Sequence, residues 1–412
     1  MIRMMCARFR KSHWLFMVLL SAQLIPADSL APAAPGFERW LRPIHVALNK
    51  IPVPFSREEF ATPLWPGSRF TNLDREQALS RGLKYIYRTA LNHRSFARHS
   101  GDYPWCLYTF SAAVRDENLT MMAHRMGVER AREWPRLHRS LPHNADAITI
   151  YDYVANSEAA DDLGVPDERL KQEIQLAAPR YSAIDYFLFD PLTEPPPADV
   201  PDECEYDGAA NPRSSKFCHV CKRPLEMRSR YDLWCDALIV SYSGDHYGVE
   251  LGAHYADVLK WLPVMRPYRG SEHGKNPDFF DTVYAVTHII YTLNNYSQLQ
   301  LSPALLPQEY HFLKSNLREA IRENDADMLG EFMDTLRALG LTSEDPDIRA
   351  GMEYLLSHQN RDGSWGRKYI HNRYHPTWNG ISGLSEYEWR AGEGLSFPEV
   401  RPLLERWKHD NQ

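Results

Sequence analysis

The strongest constraint on the fold is a regular succession of amphipathic helical segments from Tyr231 onward. Apolar residues recur there every three or four positions, which is the period of a helix with one buried face. Short polar links separate the segments, which we predict at about 231–242, 246–262, 278–296, 303–322, 325–340, 345–358, 375–389 and 397–408. In pairs they form hairpins of roughly 40 residues, the length of a helical repeat. Such a region either stacks into an open solenoid or closes into a ring.

The stretch 349–365 favours the ring, because it combines a helix, a turn signal and a large aromatic residue. Its pattern consists of Arg349, Gly351, Tyr354, Leu355, Gln359, Asp362, Gly363 and Trp365. This pattern resembles the glutamine–tryptophan motif of squalene and terpene cyclases. It is also similar to the matching repeat of protein prenyltransferase β subunits.

The segments that follow extend the resemblance. Tyr-His-Pro-Thr at 374–377 and Gly-Leu-Ser at 383–385 are similar to a prenyltransferase β segment whose histidine binds zinc, with His375 at that place. These families fold as an α/α toroid, in which inner and outer helices surround a cavity. The resemblance therefore implies an all-α protein, an α/α toroid with additional N-terminal helices. The Asp-x-Asp-Asp motif of the cyclases is absent, and no Asp-x-Cys pair lies next to a predicted cavity helix, so the resemblance concerns the fold more than the activity.

Residues 1–29 are predicted to form a secretory signal peptide. Basic residues between Arg3 and Lys11 precede an apolar run from Trp14 to Ile25, and Ala27 lies in a small-residue cleavage region. The run is short for a membrane span, and an uncleaved anchor or a chance apolar helix are the alternatives. A signal peptide predicts a secreted, periplasmic or secretory-lumen protein with no membrane span after signal removal.

Composition allows one or two substantial cores and argues against a nucleic-acid partner. The 412 residues are 43% hydrophobic and carry a net charge of −7 with no basic stripe. We predict an N-terminal helical region at 37–190 and a helical-hairpin region at 231–412. Between them, 191–230 is a linker or small insert rich in proline and cysteine, because closely spaced prolines prevent a helix.

The insert carries the first candidate site. The cysteines concerned are Cys204, Cys218, Cys221 and Cys235. The knuckle Cys218-His-Val-Cys221 could give two thiolates to a structural zinc ion, with the other two cysteines completing a tetrahedron. Alternatively, an exported protein would pair the four cysteines as two disulfides. Both interpretations stay open at this point, and both give the cysteines a structural role.

The second candidate site gathers polar residues near the starts of predicted inner helices. The candidate metal ligands are His246, His288, His375, His371 and Asp245. Imidazoles from three successive helices, with one open position, form a catalytic site for zinc, iron or copper. The alternative is that each histidine forms a hydrogen bond to a neighbouring helix end or tyrosine.

A metal-free interpretation uses other residues of the same region. The candidate catalytic residues are Tyr291, Asn295, Arg373 and Tyr374. Beside His375 they could move protons and hold a substrate carboxylate, as in toroid polysaccharide lyases.

The leading prediction from the sequence is an exported metal-dependent enzyme that acts on a small organic or lipid-like substrate in a toroid cavity. The alternatives are a lyase-type carbohydrate enzyme and a non-catalytic binding or scaffold protein. Prenyl diphosphates are used mainly on the cytoplasmic side of membranes, so an exported chain would not meet the usual donor of the prenyltransferases.

Overall fold

Helices form the framework of the protein. The computed structural model describes residues 62–367, 373–389 and 392–408, and within these ranges it contains helices and isolated β-bridges but no strand. The predicted all-α class is therefore confirmed. No helix of the described part combines the length and the apolar character that a membrane crossing requires. The predicted signal peptide and His371 lie outside the described residues.

The helices follow one another along the chain with loops of varied length. In chain order they are α1 (Asn72–Ala90), α2 (His93–His99), α3 (Asp102–Ala113), α4 (Glu117–Leu137), α5 (Ala147–Asp162), α6 (Glu168–Ala177), α7 (Ala183–Phe187), α8 (Arg230–Tyr247), α9 (Tyr255–Leu259), α10 (Leu262–Met265), α11 (Phe279–Leu293), α12 (Pro307–Arg322), α13 (Ala326–Ala338), α14 (Pro346–His358), α15 (Tyr374–Leu384) and α16 (Arg401–Trp407). Short 3-10 turns lie at Ala178–Arg180, Pro303–Leu305 and Pro398–Val400. The insert between α7 and α8 contains no helix.

Side-chain caps fix where several of these helices begin. Thr71 and Asp74 form a capping box at the start of α1. Asp325 accepts two backbone N–H bonds at the start of α13, and Asp345 does the same for α14. Each cap satisfies amides that would otherwise lack a partner, and is worth about 1 kcal/mol.

Six helices contact one another in succession along the chain: α3, α5, α8, α11, α13 and α15. The connection from α15 back to α3 is made by backbone hydrogen bonds between the segments at the C-terminal ends of these two helices. There the Arg115 amide donates to the Glu386 carbonyl over 2.9 Å, and the Glu388 amide donates to the Ala113 carbonyl over 3.0 Å. The other long helices, α1, α4, α6, α12 and α14, each pack on at least one member of this set.

Helix α13 is the most deeply buried of the six, since all of its residues are buried. It packs tightly against α15, and Gly330 allows the close approach. A Cβ atom on Gly330 would lie 2.1 Å from the carbonyl oxygen of Asn379. Only glycine fits between the two backbones at this crossing.

The turn predicted at 359–365 joins three helices. The side-chain amide of Gln359 donates from Nε2 to the Ala78 carbonyl in α1 over 2.8 Å. The Trp365 indole N–H donates to the Leu355 carbonyl in α14, also over 2.8 Å, and the Trp365 amide donates to the Thr377 hydroxyl in α15 over 3.0 Å. Trp365 is fully buried, so the motif acts as an anchor between helices.

Two predicted helix boundaries are wrong. The helix expected at 246–262 does not exist as one element, because α8 ends at Tyr247 and Gly248 adopts a left-handed conformation (φ +74°). Helix α9 begins only at Tyr255, after His254 at its N-cap. The helix expected to reach residue 389 ends at Leu384, where the chain turns extended.

Gly330→Ala is expected to lower the free energy of unfolding by roughly 1–3 kcal/mol or more, because the new methyl group overlaps backbone that is fixed on both sides. Urea unfolding followed by circular dichroism measures the change. Gly394→Ala is the control, since its Cβ would meet only the Leu299 side chain at 3.4 Å. Equal effects of the two substitutions would contradict the close packing of α13 on α15.

Candidate active site

A cavity of about 100 Å³ lies among the six contacting helices. Its wall combines aromatic rings with carboxyl groups. The aromatic residues are Trp105, Phe110, Tyr151, Tyr291, Tyr296, Trp378 and Tyr387, and the acidic residues are Asp102, Asp152, Glu158, Glu331 and Asp334. Within the described part of the chain, no lysine or arginine lines this wall. Apart from its two histidines, His288 and His375, the wall therefore offers little positive charge to an anionic ligand, and its aromatic rings suit ligands with apolar faces.

His375 enters the cavity from the first turn of α15 and is held from behind by a buried carboxylate. Its Nδ1 lies 2.8 Å from Asp327 Oδ1, so Nδ1–H donates to that carboxylate and Nε2 is left for a ligand. Burial alone would lower the pKa of His375, but the adjacent Asp327 and then Glu331 raise it to about 9. The ring is therefore an imidazolium at neutral pH.

His288 lines the same cavity from α11, in the opposite protonation state. Its Nδ1 lies 2.8 Å from the Tyr284 carbonyl oxygen. Because a carbonyl only accepts, the proton of the neutral ring is on Nδ1, and Nε2 carries a lone pair. Burial and, to a smaller extent, the charge of His375 lower the pKa of His288 to about 4.

Helix α13 supplies a stripe of carboxyl groups that the sequence analysis did not identify. Asp327, Glu331 and Asp334 are spaced by four and three residues, which places them on one helix face. Burial raises the pKa of Glu331 to about 8 and that of Asp334 to about 6. The signal was present in the sequence, because three carboxylates at this spacing interrupt an otherwise apolar helix.

Glu331 accepts hydrogen bonds from two neighbouring side chains, which partly offset the effect of burial on its pKa. Thr287 Oγ1 lies 2.6 Å from Glu331 Oε2 and 3.0 Å from the Tyr284 carbonyl oxygen. A hydroxyl has one proton, and the shorter of these two contacts is the one in which Thr287 donates to the Glu331 carboxyl oxygen. Asn379 bridges the stripe, donating to Asp327 over 2.7 Å and to Glu331 over 3.0 Å.

Two buried polar atoms on the wall lack a hydrogen-bond partner among the described residues: the Tyr291 hydroxyl and Asn156 Oδ1. Tyr291 is 7% exposed and Asn156 is 3% exposed. Burial and then the nearby Asp334 raise the pKa of Tyr291. Unpaired buried polar atoms are costly, so these two atoms are available to a ligand's hydroxyl groups.

Three of the predicted site residues, His288, His375 and Tyr291, line the cavity. His246 reaches it only indirectly, through a 2.9 Å contact between its Nδ1 and Glu158 on the wall. Tyr374 donates to Asp102, another wall residue, over 2.6 Å.

The other predicted residues are engaged elsewhere. Asp245 accepts from His254 over 2.8 Å. Asn295 accepts from the Tyr242 hydroxyl over 2.5 Å. Arg373 pairs with Asp362 over 3.2 Å, so it does not supply the cavity with a positive charge.

The predicted histidine trio does not form a compact set of metal ligands. A metal site needs several ligand atoms close together. Among the described residues, one group of at least three histidine, cysteine or acidic side chains has all its ligand atoms within 4.8 Å of one another. This group does not include His246, His288 or His375. That group consists of Cys204, Asp207, Cys218 and Cys221. These four residues can hold a metal ion.

This group differs in one member from the four cysteines that the sequence suggested as a zinc or disulfide cluster. Asp207 stands where Cys235 was expected, and Cys235 lies fully buried within α8. None of the five described cysteines is joined in a disulfide.

Comparison with known proteins adds no assignment: no family model, curated protein or solved structure matches the chain.

The free energy of unfolding is expected to fall as pH rises from about 6.5 to about 9. The pKa of His375 is raised above its unfolded value of 6.5, so its contribution is complete below that value and is lost as pH passes through the folded pKa. The loss is on the order of 3 kcal/mol. Urea unfolding at a series of pH values should give a clearly smaller slope for His375→Gln. The exposed His124→Gln serves as control, and equal slopes for His375→Gln and wild type would refute the proton-binding role.

Proposed function

We propose that the chain is an acid–base enzyme that moves protons on a small, uncharged, hydroxyl-bearing substrate such as a sugar. One observation carries the proposal. The same cavity holds His288, whose pKa is lowered, and His375, whose pKa is raised. Two titratable groups whose environments separate their pKa values are suited to the roles of base and acid.

Each histidine has a defined part in this proposal. His288 accepts a substrate proton at Nε2, because its Nδ1–H is committed to the Tyr284 carbonyl. His375 donates a proton from Nε2, and Asp327 orients the ring and stabilises its charge. A pair of this kind performs proton abstraction and return, the chemistry of isomerisation and epimerisation next to a carbonyl.

The wall of the cavity supports an uncharged substrate. The only group in the described part of the wall that we expect to be positively charged at neutral pH is His375, and no lysine or arginine lies there, so a diphosphate or a sugar acid would find little positive charge to bind. This argues against a prenyl diphosphate donor and against a lyase of anionic polysaccharides. The aromatic rings provide apolar contact area, while the Tyr291 hydroxyl and Asn156 Oδ1 offer hydrogen bonds to substrate hydroxyl groups.

We also propose that α3, α5, α8, α11, α13 and α15 form the inner helices of an α/α toroid. Their succession of contacts, the backbone hydrogen bonds that connect α15 back to α3 and the helix-joining turn at 359–365 support this arrangement. In this proposal, proton transfer replaces the metal chemistry predicted for the cavity, because no third histidine, cysteine or acidic ligand of the described residues lies close to both cavity histidines. Export through residues 1–29 and the absence of a nucleic-acid partner stay predictions.

Deuterium incorporation tests the proposal whichever product the reaction forms. The full chain is incubated in D2O with a panel of neutral aldoses and ketoses and, for comparison, sugar acids. We expect deuterium at a substrate carbon, detected by mass spectrometry and NMR, for at least one neutral sugar. The rate should fall by about two orders of magnitude or more in His288→Gln and His375→Gln.

The matched control is His124→Gln, which should exchange at the wild-type rate. Deuterium incorporation at the wild-type rate in both His288→Gln and His375→Gln would contradict the roles of base and acid assigned to these residues. Thermal stabilisation by sugar acids or prenyl diphosphates but by no neutral sugar would contradict the proposed substrate class.

A further inference from the structure

We infer that Cys204, Asp207, Cys218 and Cys221 bind one zinc ion, with Asp207 as the fourth ligand, and that this ion holds the insert between α7 and α8 in place. The inference is independent of the proposed activity. Three thiolates and one carboxylate, all within 4.8 Å of one another, match the ligand number and type of a closed tetrahedral zinc site.

The ligands come from two loops with the same spacing. Cys204-Glu-Tyr-Asp207 and Cys218-His-Val-Cys221 each place two ligands three positions apart. This spacing is typical of zinc knuckles, in which one short loop contributes two ligands. Asp207 thus occupies in the first loop the position of Cys221 in the second.

The two loops also share their backbone hydrogen bonds. If the first ligand of a loop is residue i, the backbone amide of residue i donates to the carbonyl of residue i+5. The backbone amide of residue i+4 donates to the carbonyl of residue i. The distances are 3.1 Å for Cys204 to Ala209, 2.8 Å for Cys218 to Arg223, 2.8 Å for Gly208 to Cys204, and 3.0 Å for Lys222 to Cys218.

The same left-handed turn ends both loops. Gly208 has φ +68° and Lys222 has φ +63°. A lysine in this conformation is uncommon and carries a steric cost, so the second loop adopts it under a constraint. Equivalent backbones at ligand-bearing loops indicate that all four positions were built for one ion.

The distances between ligand atoms fit a shared ion better than a disulfide. Cys204 Sγ lies 3.4 Å from Cys221 Sγ, and Cys218 Sγ lies 3.5 Å and 3.6 Å from the two Asp207 oxygens. A disulfide requires about 2.05 Å. With Zn–S bonds of about 2.3 Å and a Zn–O bond of about 2.0 Å, a tetrahedron has edges of roughly 3.5–3.8 Å.

The position of the cluster indicates its role. The insert has no helix of its own and returns to α8 at Arg228, whose amide donates to the Val200 carbonyl over 2.9 Å. The buried Arg228 guanidinium then binds Asp232 and, over 2.5 Å, Asp236 in the first turns of α8. An ion that closes the insert therefore holds these two buried ion pairs in register.

Metal analysis of the purified full chain tests the inference. We expect one zinc per chain by elemental mass spectrometry, and loss of at least nine-tenths of it in Cys218→Ser. In the cobalt-substituted protein, the thiolate-to-cobalt charge-transfer absorption should correspond to three thiolates. Asp207→Cys should keep one metal ion and raise that absorption by about one third, because it adds a fourth thiolate.

Cys235→Ala is the matched control and should leave zinc content and absorption unchanged. Because Asp207→Cys predicts a gain of signal, misfolding of a ligand variant does not leave the inference untested. A Cys204–Cys221 disulfide in the native protein, iron in place of zinc, or a cobalt absorption that falls in Cys235→Ala as it does in Cys218→Ser would each overturn it.

Discussion

The centre of the structure depends on one buried carboxylate, that of Asp327. A charge removed from water is costly unless hydrogen bonds and an opposite charge compensate it. Asp327 is 1% exposed and accepts from His375 over 2.8 Å, Asn379 over 2.7 Å and Tyr284 over 3.1 Å. These donors come from α15 and α11, so the carboxylate connects three of the six contacting helices. The interaction that orients His375 is therefore also part of the packing of the cavity wall.

The sequence predicts the parts of the fold that depend on local pattern. Helices α11 to α14 lie within a few residues of their predicted positions, because apolar periodicity and caps such as Asp325 and Asp345 define them locally. The turn at 359–365 was recognisable because glutamine, glycine and tryptophan occupy fixed offsets. The helix expected at 246–262 was wrong because left-handed Gly248 stops α8.

The candidate sites were only partly predictable, because their chemistry depends on contacts between distant segments. His288 and His375 were identified, but nothing local shows that one faces a carbonyl and the other a carboxylate, and this difference sets their opposite pKa shifts. Asp327 was missed because its spacing from Glu331 and Asp334 was not considered, and an acidic residue near a helix start taken alone is usually a surface residue. Asp207 was missed because the cysteine spacing was considered alone, without the matching aspartate.

The opposite protonation states of the two cavity histidines at neutral pH can be measured directly. Nitrogen-15 NMR of the imidazole rings, assigned with His288→Gln and His375→Gln, distinguishes an imidazolium from each neutral tautomer. We expect an imidazolium at His375 and a neutral ring protonated on Nδ1 at His288. The same protonation state at both rings, or a His288 proton on Nε2, would contradict this expectation.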